Sequence, residues 1–126
     1  MPTDNLWGDI PNTAARTPYT ILKEQAQKLT ELTQYTLSGE TTQRDWSGKF
    51  RVDFLIRVPT LDDYRFEILE VLYGITLYPL ELRDVVHQTK VTCSSEEEFL
   101  AEVKKSLTSP EVKNAISVLL SQASSA

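Results

Sequence analysis

From Lys49 to Val58 the chain alternates strictly. Phe50, Val52, Phe54, Ile56 and Val58 take every second place, and Lys49, Arg51, Asp53, Leu55 and Arg57 fall between them. A period of two belongs to a strand with one apolar and one mostly charged face. Tyr64, Phe66 and Ile68 repeat the pattern after Pro59-Thr60-Leu61-Asp62-Asp63, a connection too long for a two-residue hairpin. The two runs predict the centre of an antiparallel sheet, whose apolar face requires helices to cover it.

The second run, Tyr64–Tyr73, changes parity. Its apolar residues start at even positions, but Leu69, Val71 and Tyr73 are odd, and Glu70 falls on the apolar parity. Either a β-bulge near Leu69-Glu70 shifts the alternation, which is the favoured reading, or both faces of the strand are covered. A Glu70 that lies inside must be paired or protonated. Arg51 or Arg65 reaches it only if the bulge turns it outward, and a structural ion pair is expected. Tyr73-Gly74 reads as a turn into a strand Ile75–Arg83, in which Pro79 requires an edge or a bulge. Lys90–Cys93 suits a short last strand. Residues 40–47 read as an edge strand or a loop, with a turn at Ser47-Gly48.

Helices flank this block. Thr17-Pro18 pairs a capping hydroxyl with proline at the first helical position, and the helix is expected to run to about Leu37. Its stripe of Leu22, Ala26 and Leu29 is narrow, so one side faces water or a second protein. Ser94 with Glu97, or Ser95 with Glu98, fits a capping box for a helix whose apolar face is Phe99, Leu100, Val103 and Leu107. Ser109-Pro110 starts another, with Val112, Ala115, Ile116, Leu119, Leu120 and Ala123 at helical spacing. The expected fold is α+β: an N-terminal helix, an antiparallel sheet of three to five strands, and two C-terminal helices on one sheet face. It forms a single domain over residues 17–126. Residues 1–16 read as an irregular arm, where Trp7 either docks on its own domain, hangs loose, or serves as a short motif for a partner.

The 126 residues carry a formal charge of −5. That balance argues against nucleic acid, whose binders present a basic patch to phosphates. No apolar run approaches the roughly 20 residues that span a bilayer, and no secretory signal precedes the domain, so neither a membrane nor export is expected. One cysteine, Cys93, excludes an internal disulfide and the multi-cysteine zinc sites, and suits a reducing cytoplasm.

Catalytic signatures are sparse. A dyad of His87 with Cys93 needs hydrogen-bond contact that the sequence does not secure. Glu96-Glu97-Glu98 is explained as a helix start. No phosphate loop or nucleophile elbow occurs. No catalytic residue, metal or cofactor is expected. Lys49, Arg51, Arg57 and Arg65 share the polar parity of the central strands, interleaved with Asp53 and Glu67. They form either a solvated face or a binding face for an acidic or phosphate-bearing partner, with arginine supplying bidentate contacts. Arg51, Arg57, Arg65, Glu70 and Trp7 are the candidate binding residues.

Three segments carry a resemblance: Ile21-Leu22-Lys23-Glu24-Gln25-Ala26, Tyr64-Arg65 and Leu77-Tyr78-Pro79. Over roughly residues 17–83 the chain resembles a group of small uncharacterised bacterial proteins with an ILKEQA-type opening helix and YR and LYP strands. The resemblance implies a bacterial source and attaches no activity. The functional expectation is a non-enzymatic cytoplasmic interaction module: an adaptor, an immunity or antitoxin-type neutraliser, or a regulatory subunit, binding another protein. Two alternatives stand beside it. One is an acidic secretion-chaperone-like protein, a homodimer joined through Val112–Leu120. The other is a small ligand-binding domain or enzyme with a pocket between sheet and helices.

Overall fold

The computed structural model describes residues 4–11 and 15–125. The chain runs α1 (Pro18–Leu32), β1 (Ser38–Trp46), β2 (Lys49–Val58), a one-turn 3-10 helix (Pro59–Leu61), β3 (Tyr64–Tyr73), β4 (Leu80–Asp84), β5 (Thr89–Cys93), α2 (Glu96–Leu107) and α3 (Pro110–Ser124). The strands form one antiparallel sheet in sequence order, β1-β2-β3-β4-β5. Each neighbour pair is a hairpin, so the topology needs no crossover.

Ser47-Gly48 joins β1 to β2 with both residues at positive φ, +53° and +82°. Two such residues make a type I′ turn, whose twist matches that of the strands it joins. The turn pairs Trp46 with Lys49 and fixes the register of all nine pairs of the hairpin.

Even-numbered side chains of β2 point to the helices. Val52, Phe54, Ile56 and Val58 form a cluster with Ile21, Leu22 and Ala26 of α1, Phe99 and Val103 of α2, and Val112 and Leu119 of α3. Burying each of the larger side chains contributes about 1.5–3 kcal/mol before the entropy of ordering is subtracted. α1 lies over β1 and β2, so close that a Cβ on Gly39 would sit 2.3 Å from the Ala26 carbonyl oxygen. Here glycine is required by the approach of two backbones rather than by φ.

The expected bulge is present. The pairing passes from Phe54↔Leu69 to Leu55↔Glu67 and leaves Ile68 as the extra residue. Ile68 and Leu69 are both buried in the helix-facing core, and Glu70 turns to the other face. The capping expectations hold too: Ser95 Oγ accepts from the Glu98 amide, the Glu98 carboxylate reaches back to the Ser94 amide, and Ser109 Oγ accepts from the Val112 amide.

Two boundaries differ from expectation. α1 stops at Leu32 rather than Leu37. Gln34 at φ +53° donates its amide to the Glu31 carbonyl, and the Tyr35 amide donates to that of Thr30. These two bonds are a Schellman ending with glutamine where glycine is usual. The Thr33 hydroxyl then accepts from the Leu37 amide and turns the chain into β1. The strand expected over Ile75–Arg83 shrinks to Leu80–Asp84. The Leu77 amide donates to the Gly74 carbonyl and the Tyr78 amide to that of Thr76, while Pro79 has no amide to give. Residues 74–79 therefore form a compact turn in which the Leu77 and Tyr78 amides are spent locally and Pro79 has none to offer β3.

Candidate functional site

All three helices lie on one face of the sheet, so the other face is not covered by any helix or strand of the described residues. Register places the odd-numbered residues of β2 there, together with Glu40, Arg44 and Trp46 of β1, Arg65, Glu67, Glu70 and Leu72 of β3, Glu81 and Arg83 of β4, and Lys90 of β5.

These side chains pair across strands. Arg51 Nη2 lies 2.5 Å from Glu70 Oε1, and Arg83 Nη1 lies 3.0 Å from Glu70 Oε2. Asp53 Oδ1 stands 3.5 Å from Arg51 Nε, and Arg44 Nη2 lies 3.9 Å from Asp53 Oδ2. Arg44, Asp53, Arg51, Glu70 and Arg83 thus form a chain of alternating charge across four strands. Trp46 closes one end, with the guanidinium carbons of Arg51 and Arg44 lying 4.9 and 5.6 Å from its ring centroid. Beside this network is a shallow depression of about 190 Å³, lined by Trp46, Arg51, Glu70, Leu72, Glu81, Arg83 and Lys90. Arg51 Nε and Asp53 Oδ1 are both buried and face each other at that 3.5 Å, an ion pair longer than a hydrogen bond.

Of the candidate residues, Arg51 and Glu70 meet in this depression. Arg57 lies at the far end of the same face, bonded to Glu40 and, at 2.6 Å, to Asp63. Those two carboxylates raise its pKa, the hydrogen bond that Arg57 donates to Glu40 contributing most. Arg65 stands directly opposite Arg57, exposed and without an ion-pair partner among the described residues. Trp7 joins none of them. Its amide donates to Asn5 Oδ1 at 2.9 Å in a local turn, and its side chain is 81% exposed. The docked reading of Trp7 therefore does not hold. Residues 1–3 and 12–14 of the expected arm lie outside the described residues.

Trp46, Arg83 and Lys90 were not singled out from the sequence. Trp46 was legible in principle: a two-residue turn at Ser47-Gly48 puts residue 46 opposite residue 49, on the charged parity. Arg83 and Lys90 required the boundary of β4, which the residue 74–79 turn conceals.

His87 sits on the other side of the molecule, in the β4–β5 turn. Its Nδ1 is 2.7 Å from Asp84 Oδ2 and its Nε2 3.1 Å from Glu111 Oε2 on α3. The hydrogen bond with Glu111 and then that with Asp84 raise the His87 pKa. Glu111 is correspondingly lowered, first by His87. For Asp84, burial acts upward. The hydrogen bonds from the His87 amide and ring outweigh it, so its pKa is lowered. The imidazole ties a turn to a helix, and a carboxylate at each ring nitrogen favours its protonated form. His87 makes no hydrogen bond to Cys93 among the described residues. Cys93 is fully buried, and burial pushes its thiol up to about 11. The sulfur therefore stays protonated and is not a nucleophile.

Among the described residues no group of three or more His, Cys, Asp or Glu is placed to hold a metal, and no helix is long and apolar enough to cross a membrane. Comparison of the chain with protein-family models, curated proteins and solved structures finds no match.

Proposed function

We propose that the protein is a non-enzymatic interaction module that binds an acidic surface of another protein through its open sheet face. The observation that carries this reading is the charge on that face. Arg44, Lys49, Arg51, Arg57, Arg65, Arg83 and Lys90 lie on it against Glu40, Asp53, Glu67, Glu70 and Glu81, in a chain whose net charge is −5. Cations are concentrated where no helix lies, and an acidic partner is favoured by that complementarity. Trp46, 48% exposed at the rim, supplies the aromatic anchor that such interfaces favour. Adaptor, neutraliser and regulatory subunit all fit this surface, working in the cytoplasm and without nucleic acid or membrane.

The test is capture from a lysate of the source cell with the wild-type chain and with a Trp46→Ala/Arg83→Glu variant. One dominant protein retained by the wild type and lost by the folded variant supports the reading. Equal retention by both removes the sheet face from it.

A second reading, a small ligand-binding domain, is favoured by one observation: a cleft of about 390 Å³ between β4–β5 and the C-terminal helices, with His87 in its wall.

A further inference from the structure

The cleft beside His87 has an apolar floor, Leu69, Leu82 and Val91, and a polar wall contributed by α2 and the β4–β5 turn. Its volume, about 390 Å³, lies at the lower end of the range for small-molecule sites.

Three groups in its wall lack partners. Ser106, 4% exposed, presents a buried hydroxyl with no hydrogen-bond partner. Buried hydroxyls are normally satisfied, and one left open beside a cavity is a position for a ligand atom. Glu102 and Lys105, also in the wall, have no ion-pair partner among the described residues, although their i,i+3 spacing on α2 would allow them to pair with each other. By contrast His87 and Asp84 satisfy one another, and Lys90 reaches Glu81 at 3.4 Å. The unsatisfied set is therefore one cation, one carboxylate and one neutral donor-acceptor, over an apolar floor.

We propose that this cleft binds a small zwitterion with an apolar side chain, of the free amino acid class. Its carboxylate meets Lys105 and the Ser106 hydroxyl, its ammonium meets Glu102, and its side chain rests on Val91 and the edge of Leu82. A ligand of single charge leaves either Glu102 or Lys105 unmatched, and a purely apolar one leaves Ser106 unbonded. The site lies on the helix side of the sheet and shares only Lys90 with the depression on the open face.

The experiment is a titration of the full ¹⁵N-labelled chain, followed by amide shifts, with three probes of one carbon skeleton: L-leucine, isopentylamine and 4-methylpentanoate. The expected result is a saturable response to leucine at Thr89, Val91 and Ser106, with each single-charge probe weaker by about tenfold or more. Ser106→Ala should weaken leucine binding several-fold, while Trp46→Ala/Arg83→Glu should leave it unchanged, which separates this site from the sheet face. No saturable response to leucine overturns the proposal, as does equal binding of all three probes. Retained affinity in a folded Ser106→Ala variant also overturns it. A Glu102→Gln/Lys105→Gln variant, altered only at the wall's charged positions, provides the second check and should lose the preference for the zwitterion.

Discussion

Arg51 and Glu70 meet at 2.5 Å although they are not cross-strand partners. Register puts Asp53 opposite Glu70 and Leu72 opposite Arg51, so the ion pair runs diagonally. The diagonal sets an arginine between two carboxylates that would otherwise face each other across the ladder. Arg83, opposite Glu70 on β4, completes the neutralisation.

Replacing Glu70 by Gln should therefore destabilise the fold without abolishing it. The change leaves Arg51, 23% exposed, with only the more distant Asp53. A loss of about 1–3 kcal/mol is expected from a partly buried partner left unmatched. Urea unfolding of the variant checks it, and an unchanged midpoint would show that the pair contributes nothing.

Gly39 offers a sharper test of packing. Alanine there places its Cβ 2.3 Å from the Ala26 carbonyl oxygen, which is backbone and cannot turn aside. Gly39→Ala should cost about 1–3 kcal/mol by forcing α1 away from β1. Gly74→Ala, with nothing within 4 Å of the added Cβ, is the matched control and should be close to neutral by thermal melting.

The His87 tie should make stability depend on pH. Its pKa is raised in the folded chain, so the contribution is complete below the ordinary histidine value of 6.5 and fades as pH rises through the raised folded value. The stability advantage of wild type over His87→Gln should hold up to pH 6.5 and shrink above it. Asp84 and Glu111, both lowered, contribute in the opposite sense: their share is present above their ordinary values of 3.8 and 4.5 and is lost as pH falls through the lowered ones. Ring-proton NMR of His87 follows the first limb, and a His87 that titrates at or below 6.5 would contradict it.

Helix caps provide a local check. Ser95 and Ser109 each accept one backbone amide of the first turn. Alanine at either should cost about 1 kcal/mol, measured by urea unfolding.

The strength of each local signal decided what the sequence could reveal. β2 was legible to the residue because its alternation runs for ten residues, and β3 because two alternating runs meet at one change of parity. The bulge was legible because Leu69, Val71 and Tyr73 broke parity, and the outward turn of Glu70 followed from it. The end of α1 was not legible, because Gln34 fills a position where glycine would have signalled the stop. β1 was ambiguous because its outward residues, Glu40, Arg44 and Trp46, owe their arrangement to partners on β2 rather than to their own propensity. The site divides the same way. Arg51 and Glu70 could be read from parity, whereas Arg83 and Lys90 depended on where a turn without sequence repeat ended. The cleft near Ser106 arises from three elements meeting, and no stretch of the chain encodes that by itself.

The most direct measurement of the central claim is quantitative capture from the source lysate, comparing the wild-type chain with the Trp46→Ala/Arg83→Glu variant, with both first shown to be folded. The account expects one dominant acidic-surfaced protein with the wild type, reduced about tenfold or more by the variant, as loss of a hot-spot anchor and a charge contact implies. A folded wild type that captures nothing, or a partner held equally by both chains, would contradict it.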